Sequence, residues 1–334
     1  MTQMSIHMKK WLSDLPGQKK AFPILSFPCV SLLGCTVREL IADSSMQAEG
    51  MVRVAEKVPS AASVSLMDLS VEAECFGASV RFSDDEVPTV TGRLIEDMDG
   101  AQALKVPPVG AARSGVYIDA IRKAAQRITD RPIFAGIIGP FSLAARLFDV
   151  TEIMYVCYDE PEVVHTVLEK AAQFQIRYGL ALKAAGADAI MMAEPLAGIL
   201  SPDMAEEFSV PYVKRIIDAL QDENFAVIYH NCGDSVASMP QLLFTQGAAA
   251  YHFGNSVDME QMLKAAPADI LCMGNVDPAG QITRGTPESV REATRALLEK
   301  CGGYPNFVAS SGCDIPAHAG WDNIQAFFGA LKEW

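Results

Sequence analysis

Two short stretches combine side chains that bind soft metals. His230-Asn231-Cys232-Gly233 sets an imidazole and a thiol two positions apart, and Ser311-Gly312-Cys313-Asp314 adds a second thiol beside a glycine. Zinc takes thiolate and imidazole ligands in tetrahedral geometry. On extended backbone, residues i and i+2 point to the same side, so His230 and Cys232 can share one ion. Three protein ligands leave a fourth position for water, a carboxylate or a substrate, which is the catalytic arrangement. The same residues have a plainer reading. A cysteine at a strand end is usually a small core hydrophobe, a lone histidine is more often hydrogen-bonded than metal-bound, and H-x-C arises readily by chance. On these residues alone both readings stand.

A shared site requires elements that bring positions 230, 232 and 313 to one rim. Short apolar runs alternate with helical patterns along the whole chain. The strand candidates are Pro23–Cys29, Ser63–Met67, Pro132–Ile138, Asp188–Ala193, Ala226–His230, Ala248–Phe253, Ile270–Gly274 and Phe307–Ser311. They are continuously apolar rather than alternating, as expected for parallel strands buried on both faces. Between them, Val37–Lys57, Tyr117–Ile128, Pro161–Ala185, Pro202–Leu220, Pro287–Lys300 and Trp321–Lys332 carry helical spacing. Pro161 opens its helix at a first-turn position and Gly186 suits the C-cap.

Repeated βα units with eight strands predict an α/β chain closed into a (β/α)8 TIM barrel, and no G-x-G-x-x-G follows the first strand to favour an open doubly wound sheet. The expectation is one domain over residues 1–334. Residues 1–20 form an N-terminal helical extension closing the barrel bottom, and 81–116 a loop or hairpin insertion after the second strand. Active sites of this fold sit at the C-terminal strand ends. Those ends carry Asp68 and Glu72, Glu194, His230 to Asp234, Asn275 and Cys313.

Composition narrows the class of function. The formal net charge of −14 over 334 residues argues against nucleic acid and against an anionic membrane surface. Eight scattered cysteines in a chain this long suit reduced thiols, which points to the cytoplasm. Lys19-Lys20 followed by an apolar run into Leu32-Leu33-Gly34-Cys35 imitates a lipoprotein leader, but Pro23 and Pro28 interrupt it, and the fold needs a strand there. No run approaches the roughly twenty apolar residues that span a bilayer.

Longer motifs then become legible. Asp68-Leu69-Ser70-Val71-Glu72-Ala73-Glu74 followed by Gly77, Gly136 to Leu143, Leu200-Ser201-Pro202 with Pro211-Tyr212 and Lys214, and Asn275-Val276-Asp277-Pro278 recur over nearly the whole length. In these the chain resembles the uroporphyrinogen decarboxylase superfamily, within it the methylcobamide:coenzyme M methyltransferase-like branch. Those elements look like that branch's D-L-T-V-E-A-E-x-x-G, G-x-x-G-P-F/W-T-L, L-S-P…P-Y-x-K and G-N-L/V-D-P. The His230/Cys232 and Cys313 stretches resemble its H-x-C…C zinc motif. The decarboxylases' M-R-Q-A-G-R-Y type segment, whose arginines grip substrate carboxylates, is absent; Phe22–Leu33 stands there without an arginine.

The resemblance implies a zinc-dependent methyl transfer. The methyl group comes from a methyl-Co(III) corrinoid (cobamide) carried by a partner protein. The acceptor is a thiol such as coenzyme M, which zinc would activate as its thiolate. Tetrahydrofolate or another acceptor, porphyrinogen decarboxylation, and non-catalytic zinc or corrinoid binding are the alternatives. On this reading His230, Cys232 and Cys313 hold zinc, and Glu72, with Glu194 behind it, is the candidate labile fourth ligand or outer-sphere group. Asp68, Asn231, Asp234 and Asn275 orient ligands or acceptor. Each of these polar residues has the alternative of a hydrogen-bonding role at a strand end, and His252 reads as a barrel histidine rather than a ligand.

Overall fold

The computed structural model describes residues 6–334. Among the described residues nine strands form: β1 (Ser63–Val64), β2 (Ser79–Arg81), β3 (Thr89–Thr91), β4 (Ile133–Ile138), β5 (Ala189–Ala193), β6 (Ala226–Asn231), β7 (Ala250–Phe253), β8 (Leu271–Val276) and β9 (Phe307–Ser311). Seven of them make one curled parallel sheet in the order β1-β4-β5-β6-β7-β8-β9, each βα unit placing its strand beside the last. Side chains alternate between two apolar environments. Met191, Ile228, Ala250, Met273 and Val308 pack inside the curl. Ile190, Met192, Val227, Tyr229 and Tyr251 pack outward under the helices. Both faces are therefore buried, which is why these strands read as unbroken apolar runs.

The eighth strand expected at Pro23–Cys29 does not form. The chain from residue 20 is extended, and Cys29–Leu33 is a short helix preceded by Pro28. Pro23 has no N–H for a ladder, and the hydrogen bonds become irregular. Phe22 N–H donates to the Ala309 carbonyl at 2.9 Å, and Ala61 N–H donates to the Ala21 carbonyl at 2.8 Å. Ile24 N–H reaches the Ser311 hydroxyl at 3.1 Å instead of a carbonyl. An extended segment thus bridges β9 and the approach to β1 without becoming a strand.

Below it, the helix Met8–Asp14 turns Met8 and Leu12 into the same apolar cluster as the inner strand residues. Residues 1–5 of the expected N-terminal extension lie outside the described residues.

Several helices differ from expectation for local reasons. Val37–Lys57 divides into Val37–Ala42 and Ser44–Lys57, because the Asp43 side chain accepts the Ser45 and Met46 N–H groups and starts a new helix. Pro202–Leu220 divides at Ser209, just before Pro211. The helices Pro140–Phe148 and Val150–Asp159 were not anticipated. Pro140–Phe148 is buried nearly all round, with Arg146 alone part-exposed. Pro161–Ala185 ends as expected at Gly186, whose φ of 111° needs glycine. The 81–116 stretch contains the second strand of the antiparallel β2–β3 hairpin and the helix Met98–Ala103, then runs to Arg113. Among the described residues no helix is long and apolar enough to cross a membrane.

Candidate metal centre

β6 and β9 deliver the three soft ligands. His230 is the penultimate residue of β6, Cys232 follows the strand by one position, and Cys313 follows β9 by two. Asn231 shapes the first turn: its Oδ1 accepts the Gly233 N–H at 2.9 Å and its Nδ2 donates to the Tyr229 hydroxyl at 3.0 Å. Close approach makes glycine necessary on both flanks. A Cβ on Gly254 would come 2.5 Å from Cys232 Cα, and one on Gly312 would come 2.6 Å from the Asn255 nitrogen.

The result is a compact triangle. Cys313 Sγ lies 3.5 Å from His230 Nε2 and 4.0 Å from Cys232 Sγ, and all three ligand atoms fall within 4.8 Å of one another. Zinc–sulfur bonds of about 2.3 Å and zinc–nitrogen bonds of about 2.0 Å at tetrahedral angles require edges of about 3.8 Å and about 3.5 Å. The donor set and its spacing therefore fit one tetrahedral ion. The Cys313 thiol donates toward Cys232 and, with His230 alongside, holds the Cys232 thiol below its ordinary range, while Cys313 is pushed up in turn.

Behind the triangle lies a buried polar chain. His230 Nδ1 is 2.8 Å from His252 Nδ1 on the adjacent strand, where the two histidines are register partners. His252 Nε2 is 2.7 Å from the Ser310 hydroxyl, which donates to the Phe22 carbonyl at 2.6 Å. Burial holds His252 well below the usual histidine range, so it is neutral. His252 is a barrel histidine outside the trio, and it touches His230 directly.

The acids take other places. The trio is the only such group among the described residues, and no carboxylate joins it. Glu72 is buried, its Oε1 accepts the Ile138 N–H at 2.9 Å, and desolvation pushes its carboxyl up to about 8. Glu194 spends both oxygens on the N-terminus of Pro140–Phe148, accepting Phe141 N–H at 3.0 Å and Ser142 N–H at 2.6 Å. Burial raises it to about 7 despite those bonds. Gly139 makes room for it, since a Cβ there would sit 2.4 Å from the carboxylate.

Asp68 is locked to Arg113 and to the Tyr117 hydroxyl, the latter at 2.7 Å, while its other oxygen takes the Ser70 N–H and hydroxyl. Asn275 Nδ2 donates to the Gly254 and Val257 carbonyls, both at 2.8 Å, stitching the loop beside Cys232. Asp234 is exposed.

Two arginines of this region were missed. Arg113, at the end of the 81–116 stretch, ties Asp68 to Glu74. Arg146 lies in Pro140–Phe148 within the fields of Asp68 and Glu72, and its buried Nε has no hydrogen-bond partner among the described residues. A single cation in the apolar run Phe141–Phe148 was the signal that could have found it.

Comparison with known proteins places this architecture. The chain is 27% identical over 274 residues to the methylcobamide:CoM methyltransferase MtbA of Methanosarcina acetivorans, covering 80% of this chain and 78% of that one. It is 26% identical over 319 residues to the uroporphyrinogen decarboxylase of Hydrogenovibrio crunogenus, covering 88% and 85%. Among solved structures, a methyltransferase from Methanosarcina mazei superposes with a TM-score of 0.85 at 21% identity over 98% of this chain and 99% of its own. A B12-independent methionine synthase from a Shewanella species gives 0.61 at 15% identity over 94% of each chain. The uroporphyrinogen decarboxylase (URO-D) family model matches residues 28–334, and the chain belongs to that family.

Proposed function

We propose that the chain is a zinc-dependent methyltransferase that moves a methyl group from a methyl-Co(III) corrinoid, carried by a partner protein, to a small thiol such as coenzyme M. The observation that carries this reading is the His230/Cys232/Cys313 triangle, two of whose edges match a tetrahedral zinc site and which no fourth protein ligand joins among the described residues. Zinc, when bound there, supplies the Lewis acidity that turns an acceptor thiol into a nucleophilic thiolate at neutral pH. The acceptor sulfur then forms a bond to the methyl carbon while the cobalt–carbon bond breaks, and cobalt leaves as Co(I). Two protein thiolates offset the ion's charge, so the acceptor sulfur keeps its nucleophilicity.

The protein's own groups frame that step. Asn231, Gly233, Gly254 and Gly312 fix the ligand turns, and Asn275 braces the loop beside Cys232. Similarity to methylcobamide:CoM methyltransferases supports the donor and acceptor classes. Uroporphyrinogen decarboxylases are also relatives, but Phe22–Leu33 holds no arginine with which to grip a polycarboxylate.

The test is metal content together with turnover. Purified chain should hold about one zinc and convert methylcobalamin plus 2-mercaptoethanesulfonate to the methyl thioether, with Co(I) absorbance appearing in step. Cys232→Ala and Cys313→Ala should each lose both zinc and turnover. Retention of zinc in both variants would sink the metal centre. Zinc without methyl transfer to any thiol would sink the acceptor.

A further inference from the structure

The buried chain behind His230 admits one arrangement of protons. The Phe22 carbonyl can only accept, so the Ser310 hydroxyl spends its single proton on it at 2.6 Å. Ser310 Oγ must then accept from His252, which places the His252 proton on Nε2 across 2.7 Å. A neutral imidazole has one donor and one acceptor nitrogen, so His252 Nδ1 is bare. Facing it at 2.8 Å, His230 Nδ1 must carry the proton. A second contact requires the same answer independently: His230 Nδ1 also lies 3.3 Å from the His252 carbonyl, which cannot donate. His230 Nε2 is thereby left with its lone pair, on the side of Cys313 at 3.5 Å.

We propose that His252 is a positioning residue that, anchored through Ser310 to the Phe22 carbonyl, holds His230 as its Nδ1–H tautomer with Nε2 presented to the metal. Phe22, His252 and Ser310 are fully buried and His230 is 2% exposed, so water has little access to offer a competing partner. The terminal acceptor belongs to the extended segment bridging β9 and β1. There the Phe22 carbonyl accepts a side-chain hydroxyl where a regular ladder would offer a backbone N–H. An outer donor–acceptor of this kind orients a metal-bound imidazole and raises its basicity; losing one typically costs about 10-fold to 100-fold in metal affinity.

The inference rests on the proposed zinc centre, and zinc affinity of the full chain, read by competition with a chromophoric chelator, separates the two. His252→Leu removes the acceptor and should weaken zinc about 10-fold to 100-fold. His252→Asn keeps an oxygen near the Nδ1 position and should restore most of the affinity. Ser310→Ala should fall between them. Ring nitrogen-15 shifts of the zinc-loaded wild type should show His230 protonated at Nδ1 and metal-bound through Nε2, a signature that packing alone would not produce. The proposal is overturned if His252→Leu binds zinc as tightly as wild type. It is overturned equally if a folded His252→Asn is as weak as His252→Leu, or if His230 binds through Nδ1. Should His252→Leu fail to fold, the wild-type spectrum and His252→Asn still decide. A wild type that holds no zinc overturns the metal centre itself.

Discussion

The sulfur of Cys313 lies 4.0 Å from that of Cys232, although 81 residues separate them in the chain. Only the parallel order of β6 to β9 brings the two strand ends to one rim, so the pair reports folding and would report the proposed zinc as well. Thiol labelling reads this directly. Cys29, Cys157, Cys272 and Cys301 are buried, while Cys35, Cys75, Cys232 and Cys313 are partly exposed. In metal-free native chain, iodoacetamide should modify Cys232 fastest, with Cys313, Cys35 and Cys75, whose thiols are pushed up, following slowly. Added zinc should protect Cys232 and Cys313 alone, as seen by peptide mass spectrometry. Equal protection of Cys35, or none of Cys232, would contradict the assignment.

Glu72 ties stability to pH. Its carboxyl is raised to about 8, first by burial, with Asp68 raising it further and Arg146 opposing. The folded chain therefore holds a proton that the unfolded chain, with an ordinary glutamate near about 4.3, has released. That contribution is fully present below the unfolded value and is lost as pH rises through about 8. Glu72→Gln stays neutral, and its amide oxygen can still accept the Ile138 N–H. Between pH 6 and pH 8, wild type should lose on the order of 2 kcal/mol more stability than Glu72→Gln, measured by urea unfolding. Parallel curves would show that Glu72 is ionised in the fold.

How much of this was open to sequence reading follows from the range of each interaction. The candidate trio was legible because His230 ends an apolar run and Cys232 and Cys313 follow such runs, each beside a glycine. The sheet was legible because strands buried on both faces leave long apolar runs. Pro23–Cys29 misled because its apolar content is genuine while its prolines bar a ladder. Arg113 was hidden because its partners Asp68 and Glu74 lie 45 and 39 residues away. The tautomer chain was hidden for a stronger reason: its last member is the backbone carbonyl of Phe22, and any residue type supplies one.

Glu194 shows how a correctly noticed strand-end acid can serve the fold. Its two oxygens satisfy two of the N–H groups that open the helix Pro140–Phe148. In Glu194→Gln one acceptor becomes an amide donor facing a backbone N–H, so a buried pair is lost. The variant should be destabilised by about 1–3 kcal/mol in denaturant unfolding while its zinc content is unchanged. Loss of zinc at full stability would instead move Glu194 into the metal centre.

Arg146 gives the sharpest test of acceptor chemistry. Burial lowers its proton affinity, opposed chiefly by the field of Asp68, and its Nε has no partner among the described residues. A buried donor left unpaired on a cation is costly unless something anionic completes it. The helix bearing it follows β4 directly, on the same end of the sheet as Cys232 and Cys313. A thiol with an anionic tail can answer it; a neutral thiol cannot. Arg146→Gln should therefore raise KM for 2-mercaptoethanesulfonate by about tenfold or more, as expected for one lost charge-assisted hydrogen bond. KM for 2-mercaptoethanol should stay near wild type, and so should zinc content. Parallel losses for both thiols would show that Arg146 supports the fold around Glu72 rather than the acceptor.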